Sequence, residues 1–453
     1  MLSLITGLHP VGNHPAGWRH PRAYTDTVMN LEQMIEIART AERGLFDMLF
    51  ISDGNGVAGM EWPELFEANA LTGKPAVFEP VTVLSAIAMH TTRIGLLATA
   101  TTTYEEPFTL ARKFASLDHI SKGRACWNVV TSSNASDSRN FGKDEHLARY
   151  DRYERAREFV EVCKGLWDSW SEDAFPQDKA RGKYIDIDKV HVLNHVGKHF
   201  KVRGPLNAAR PPQGYPVLFS AGQSEQGRDL AAALSDCMFC ATPTKAQALA
   251  FYTDMKSRLA KYGRTPDELK IMPGCVAYVG RTEAEAEGMF QEQQALIDPV
   301  VGVRNLSHYV TMDLTGYDLD APFPELTPDS LGGSSRRYAI GEVARREKLT
   351  IRQTYERFLP SFGHPVMKGS GAQVADMIED WYRAGVCDGF NVHVGFQPEG
   401  LRNFVDYVVP ELQRRGLFRT AYPGKTLRDV VGLKRPESQF FPRQCAAPAL
   451  VAE

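Results

Sequence analysis

The sequence has no long apolar run, little cysteine and almost no excess charge of either sign, and each absence removes a class of function. No stretch approaches the ~20 consecutive apolar residues that a membrane-spanning helix needs. Lysine and arginine number 52 against 55 aspartates and glutamates, a net charge of −3. Bulk electrostatics therefore favours neither nucleic acid nor an anionic membrane as a partner. The 7 cysteines fall at irregular spacings at 126, 163, 237, 240, 275, 387 and 445, and an odd, scattered set argues against a disulfide framework. Cys237-Met-Phe-Cys240 has CxxC spacing, but its apolar setting reads as a buried strand rather than a redox or zinc motif. No Walker or Rossmann fingerprint is present. The opening Met1-Leu-Ser-Leu-Ile-Thr-Gly7 lacks a basic segment leading into a long apolar one, so no secretory signal is expected and the reducing cytoplasm is the expected compartment.

What is present is an ordinary globular composition, 43% hydrophobic and 24% charged over 453 residues, enough to bury a full core. Short apolar runs alternate with helical patterns. Runs of strand length are Leu2–Ile5, Asp47–Ser52, Arg93–Ala98, Arg124–Val130, Val217–Ser220, Cys237–Ala241, Ile271–Val279 and Gly389–Val394. Helical periodicity follows over Leu31–Arg43, Pro80–Met89, Pro107–Leu117, Tyr153–Trp167, Ser224–Leu234, Thr244–Tyr262, from Thr282, Ala372–Ala384 and Leu401–Arg414. Strands that are apolar on both faces, each followed by a helix, predict a parallel sheet with helices outside. About eight such units predict closure into a single α/β (β/α)8 TIM barrel over 1–433. Two stretches interrupt the rhythm as insertions, near 171–212 and 296–368; the second carries Pro322, Pro324, Pro328 and Gly332-Gly-Ser-Ser-Arg-Arg337. Long insertions of this kind serve as lids or contact surfaces. The tail, 434–453, is expected to be an arm on the surface or disordered.

In such a barrel the chemistry belongs at the C-terminal ends of the strands. Those ends are Ser52-Asp53-Gly54, Thr99-Ala-Thr-Thr-Thr103, Asn128 to Thr131-Ser-Ser-Asn134, and Ser220-Ala-Gly-Gln-Ser-Glu-Gln-Gly227. They are rich in hydroxyls, amides and glycine and poor in cations. Ala221, Gly222 and Ser224 lead into a helix whose free N–H groups suit a phosphate, although Ser224 read alone favours a plain N-cap. Asp53 is either a turn aspartate or a ligand contact. Asn128 sits in an apolar strand and needs a partner, from backbone or ligand. The first loop carries His9, His14 and His20, and His308 and His364 lie in or beside the second insertion. No cysteine or carboxylate joins them at ligand spacing, so a proton-handling or substrate-contacting role is favoured over a metal.

In their order along the chain, several segments resemble the bacterial luciferase-like flavin monooxygenases: Phe50-Ile-Ser-Asp53, Ala111-Arg-Lys-Phe-Ala-Ser-Leu-Asp-His119, Trp127-Asn-Val-Val-Thr-Ser132, Arg152-Tyr-Glu-Arg-Ala156, Ala221-Gly-Gln-Ser224 and Val409–Arg419. Within them the chain is similar to the branch of nitrilotriacetate monooxygenase component A, dibenzothiophene-sulfone monooxygenase and long-chain alkane monooxygenase. The resemblance implies an FMN site with contacts from Asp53, Thr99, Asn128, Thr131, Tyr153, Ala221, Gly222 and Ser224. It places His14 near the reacting face; His308 is a candidate catalytic residue from its position in the second insertion alone. Where the family carries a histidine four residues before the tyrosine, this chain has Arg149; His146 with Tyr150 offers the same spacing three residues earlier. The implied activity is that of the oxygenase component of a two-component system. A separate NAD(P)H-dependent flavin reductase supplies FMNH2, and O2 is used through a C4a-peroxyflavin to oxygenate a small organosulfur, amine, aminocarboxylate or alkane substrate. A homodimer or homotetramer is expected. The alternatives are a deazaflavin-dependent oxidoreductase of the same superfamily and a non-catalytic flavin-binding protein.

Overall fold

Alternation along each strand decides which way its side chains point, and here it builds two cores. The computed structural model describes residues 1–57, 60, 62–72, 76–132, 134–326 and 335–442. Eight strands form the barrel: β1 (Ser3–Gly7), β2 (Met48–Ile51), β3 (Gly95–Thr101), β4 (Ala125–Val130), β5 (Val217–Ser220), β6 (Cys237–Cys240), β7 (Lys270–Gly280) and β8 (Gly389–Val394). Each pairs in parallel with the next, and β8 returns to β1, with Ile5 opposite Asn391. This is a closed TIM barrel.

Leu49, Ile51, Leu96, Ala98, Trp127, Val129, Phe390, Val392 and Val394 face outward and pack under the helices. Ile5, Met48, Leu97, Cys126, Val217, Phe219, Cys237 and Met272 face inward and fill the lumen. A period of two on a strand buried on both faces is what makes the runs continuously apolar. All six described cysteines, Cys237 and Cys240 among them, are buried and free; Cys445 lies outside the described residues.

One end of the barrel is stoppered. Leu427, Val430 and Val431 of a short C-terminal helix join the lumen core. The Leu427 N–H donates to the Gly123 carbonyl (2.8 Å) and Arg428 to that of Tyr215 (3.2 Å), just ahead of β4 and β5. The plug therefore closes the N-terminal end and leaves the C-terminal end for ligands.

The second insertion is more ordered than its prolines and glycines suggest. It contains the helices Pro299–Val310, Ser335–Glu347 and Ile351–Phe358 around a small core of its own, with Val303, Leu306, Ile340 and Tyr355. Residues 327–334, including Gly332 to Ser334, lie outside the described residues. The insertion ends in an extra strand, Val366–Ser370, which pairs with Val276–Gly280 of β7. Val276 and Ala277 also pair with β8, so the extra strand lies on the β6 side, beyond the end of β6. The first insertion holds a short hairpin, with His195 opposite Val202, a 3-10 turn and an antiparallel bridge between Asp178 and Lys183. The described start of the tail packs against this region: Gln439 N donates to Asp168 (2.9 Å), and Phe440 stacks on His191.

Candidate functional site

A cavity of about 300 Å³ opens where β2, β3, β4 and β5 end, lined by Asp53, Thr99, Thr101, Thr131, Ser132, Tyr153, Ser220, Ala221 and Gly222 among others. Six of the nine flavin-contact candidates from the sequence thus line a single wall, although they span residues 53 to 222. Ser224 joins them through Tyr153, whose hydroxyl lies 3.3 Å from Ser224 Oγ. Asn128 joins through Thr99: its Nδ2 donates to Thr99 Oγ1 (2.9 Å), which itself donates to the Ile51 carbonyl (2.7 Å).

Two buried polar atoms at this wall, Asn128 Oδ1 and Ser220 Oγ, have no hydrogen-bond partner among the described residues. Unsatisfied buried polar atoms are costly unless a ligand or water meets them. The Ser224 end has a cradle built from close backbone approach. A Cβ on Gly227 would fall 2.6 Å from the Gly222 carbonyl oxygen, and one on Gly222 would fall 3.1 Å from the Tyr153 hydroxyl. Only glycine fits at 227. Ser224 caps the helix Glu225–Leu234 by accepting from Gly227 N (3.2 Å), so the capping reading of this serine holds. Its place beside Tyr153 is compatible with a phosphate contact as well. A flat ligand with a hydrogen-bonding edge and a terminal phosphate suits these residues.

Asp53 is half-buried at the end of β2, and its carboxyl is pushed up to about 6 by burial, with the Gly54 N–H opposing and the charges of Glu79 and Asp137 adding. Across the cavity Ser132 adopts φ 48°, a left-handed backbone that a serine seldom takes. It is pinned from three sides: its carbonyl accepts from Arg152 and from His146 (3.1 Å), and its hydroxyl lies 2.9 Å from Thr101 Oγ1. Strain held this firmly marks a position worth a functional test.

Three candidates stand away from this wall. His14 is fully buried; its Nδ1 accepts from Ala16 N (3.0 Å), and its Nε2 lies 3.3 Å from Gln294. His308 faces Trp62 edge-on at 5.2 Å on an insertion helix. Arg149 is exposed at the first position of the helix Arg149–Trp167, and Tyr150 is 69% exposed. Of the two tyrosines weighed from sequence, Tyr153 is the one in the cavity wall.

Two of the histidines named from the sequence, His9 and His364, come close to the site, and His393, which sequence reasoning did not single out, joins them. His9 lies 3.3 Å from Ser52 Oγ, next to Asp53; its position two residues past β1 was the available signal. His393 projects into the lumen from β8 and stacks on His364, with Phe239 edge-on to both. His364 fits there because residue 274 is glycine: a Cβ would meet its ring at 2.7 Å. Among the described residues no group of three or more His, Cys, Asp or Glu is arranged to hold a metal, and no helix is long and apolar enough to cross a membrane.

Comparison with known proteins agrees with this architecture. Residues 12–388 match the model of the luciferase-like monooxygenase family. The chain is 47% identical over 431 residues to nitrilotriacetate monooxygenase component A of Aminobacter aminovorans, covering 94% of this chain and 95% of that protein. It is 46% identical to N-acetyl-S-(2-succino)cysteine monooxygenase of Bacillus subtilis, covering 95% and 96%. The crystal structure of DmoA from Hyphomicrobium sulfonivorans superposes with a TM-score of 0.85 at 33% identity, over 95% of this chain and 92% of that one.

Proposed function

Because this chain belongs to the luciferase-like monooxygenase family, we propose that it is an oxygenase component that receives FMNH2 from a separate NAD(P)H-dependent flavin reductase and oxygenates a small organic substrate. The observation that carries the FMN reading is the cavity at the ends of β2 to β5, with its orphaned Asn128 Oδ1 and Ser220 Oγ and its Gly222–Gly227 cradle. Bound FMNH2 supplies the two electrons that let O2 give one atom to the substrate and the other to water.

The protein's share of the work is binding, orientation and exclusion of water. Ser224, Tyr153 and the first N–H groups of the helix Glu225–Leu234 hold the phosphate. The lumen-facing Thr99 and Asn128 present hydroxyl and amide groups to the ring edge. Asp53 can hold or release a proton at its carboxylate oxygen close to neutral pH, since burial pushes its carboxyl up to about 6. The helical insertion around Val303 and Tyr355 acts as the cover that keeps bulk water away. The lumen wall formed by Phe239, His364 and His393 is the substrate side.

Two of the relatives are named for nitrilotriacetate and for N-acetyl-S-(2-succino)cysteine, a thioether, and aminopolycarboxylates and carboxylated thioethers head the substrate list. The test is a screen in which a generic reductase supplies FMNH2 to the purified protein with aminocarboxylates, organosulfur compounds and alkanes, product being read by mass spectrometry. A product heavier by one oxygen, or its cleavage fragments, supports the proposal. Flavin turnover in which no panel compound changes, or hydride transfer that proceeds without O2, counts against it.

A further inference from the structure

A second cavity lies at the plugged end of the barrel, and at about 560 Å³ it is larger than the one at the strand ends. Its wall is built from the starts of three strands, at Ser3 of β1, Lys270 of β7 and Asp388 just ahead of β8, and from Val430 and Val431 of the plug helix. Pockets of roughly 300–1,000 Å³ are the size that small organic ligands use.

The acids in this wall are already engaged. Asp388 accepts from the Lys256 ammonium (3.1 Å), the Ile271 N–H (2.8 Å) and the Tyr252 hydroxyl (3.2 Å). Asp429 accepts from Lys425 N and Thr426 N, both at 2.8 Å, as part of its helix cap, and the charge of Arg93 acts on it. The cations have capacity to spare. Lys270 is half-buried, and no described carboxylate pairs with it. Arg419 is only 6% exposed; its Nη2 donates to Asp47 (2.6 Å), while its buried Nη1 has no partner among the described residues. A buried guanidinium nitrogen left without an acceptor is costly, and a half-buried ammonium without a counter-charge adds an unmatched positive charge to the same wall. The rest of the wall includes the apolar Ala421, Pro423, Val430 and Val431.

We propose that this cavity is a second ligand site, and that it takes a small organic carboxylate. The head group lies at Lys270 and Arg419, and the apolar body lies against Pro423, Val430 and Val431. The site stands at the opposite end of the barrel from Asp53 and Ser224, so the assignment does not depend on the flavin reading. A ligand held here touches the plug helix and three strand starts of the folded barrel, and therefore stabilises the fold by mass action.

The test uses the full-length protein with hexanoate as the probe and with hexanamide and inorganic phosphate for comparison, read by titration calorimetry and by thermal unfolding. Hexanoate should bind saturably and raise the unfolding temperature with concentration. Hexanamide lacks the charge and phosphate lacks the apolar body, so each should bind at least about tenfold more weakly. Lys270→Met should weaken hexanoate binding at least about tenfold. Arg419→Lys, which keeps a charge for Asp47 but removes the second nitrogen, should weaken it as well. Lys425→Met removes an exposed lysine outside the cavity wall and should bind hexanoate as wild type does. Absence of saturable hexanoate binding overturns the proposal. So does binding that a folded Lys270→Met protein retains in full, since the probe then sits elsewhere. Phosphate or hexanamide bound as tightly as hexanoate overturns the carboxylate class.

Discussion

The hydroxyl of Tyr153 lies 3.3 Å from Ser224 Oγ although 71 positions separate them in the chain. One stands on the helix after β4 and the other caps the helix after β5, so their meeting defines the closed end of the cavity. Ser224→Ala should lower FMN affinity about tenfold through the lost phosphate contact. It should also cost roughly 1 kcal/mol of stability through the lost cap at Gly227 N. Flavin titration and thermal unfolding separate the two effects. Unchanged FMN affinity in a folded Ser224→Ala protein would remove this residue from the site.

Asp53 makes a prediction with a sign. Its folded-state carboxyl lies at about 6, above the ordinary 3.8. The folded protein therefore binds the proton more tightly than the unfolded chain between those values. Stability tied to Asp53 is fully present below about pH 4 and is lost as pH rises through 6. Asp53→Asn should match wild type at acid pH and be more stable at pH 7 and above, on the order of 1 kcal/mol once solvent screening is allowed for. The same substitution should weaken flavin binding, as should Asp53→Ala. Thermal melts at pH 4.5 and 7.5 read the first effect; a variant less stable than wild type at pH 7.5 contradicts it.

Gly227 is held against Gly222 so closely that a methyl group would sit 2.6 Å from a carbonyl oxygen. Gly227→Ala must push the two backbone segments apart, at roughly 1–3 kcal/mol, and so open the cradle. FMN affinity should fall at least about tenfold, while circular dichroism of the barrel stays close to that of wild type. Retained affinity would show that the cradle tolerates a wider gap than the geometry allows.

The opposite end of the barrel supplies a control. Asp47 is fully buried; it accepts from Leu4 N (2.7 Å) and pairs with Arg419 (2.6 Å). Arg419→Met leaves the buried carboxylate without its counter-charge and should destabilise the fold by roughly 3–5 kcal/mol. Flavin affinity at low temperature should be unchanged, because the pair lies at the plugged end. A loss of flavin affinity in the folded variant would contradict the separation of the two ends.

Much of this was legible in the sequence, and for a physical reason. Strands buried on both faces must be apolar throughout, so Asp47–Ser52 and Val217–Ser220 announce themselves, and a barrel puts its chemistry at their C-terminal ends. That rule alone collected Asp53, Thr99, Thr131 and Ala221 before any contact was known. What escaped was set by tertiary distance. Arg152 sits in a run with Arg149, Arg155 and Arg157, which reads as a solvated helix face until the strand end it clamps is seen. His364 is placed by the absence of a side chain at Gly274, far away in sequence. The helix Pro299–Val310 was hidden by the prolines around it, although Asp298 followed by Pro299 is itself a helix start, with Asp298 capping Val300 N.

The central claim is tested most directly by a crystal structure of the protein with FMN bound. The account predicts the phosphate between Ser224, Tyr153 and the Gly222–Gly227 turn, with the ring edge against Asn128 and Thr99. A flavin bound elsewhere on the barrel, or one whose phosphate points toward His364 and His393, would contradict it.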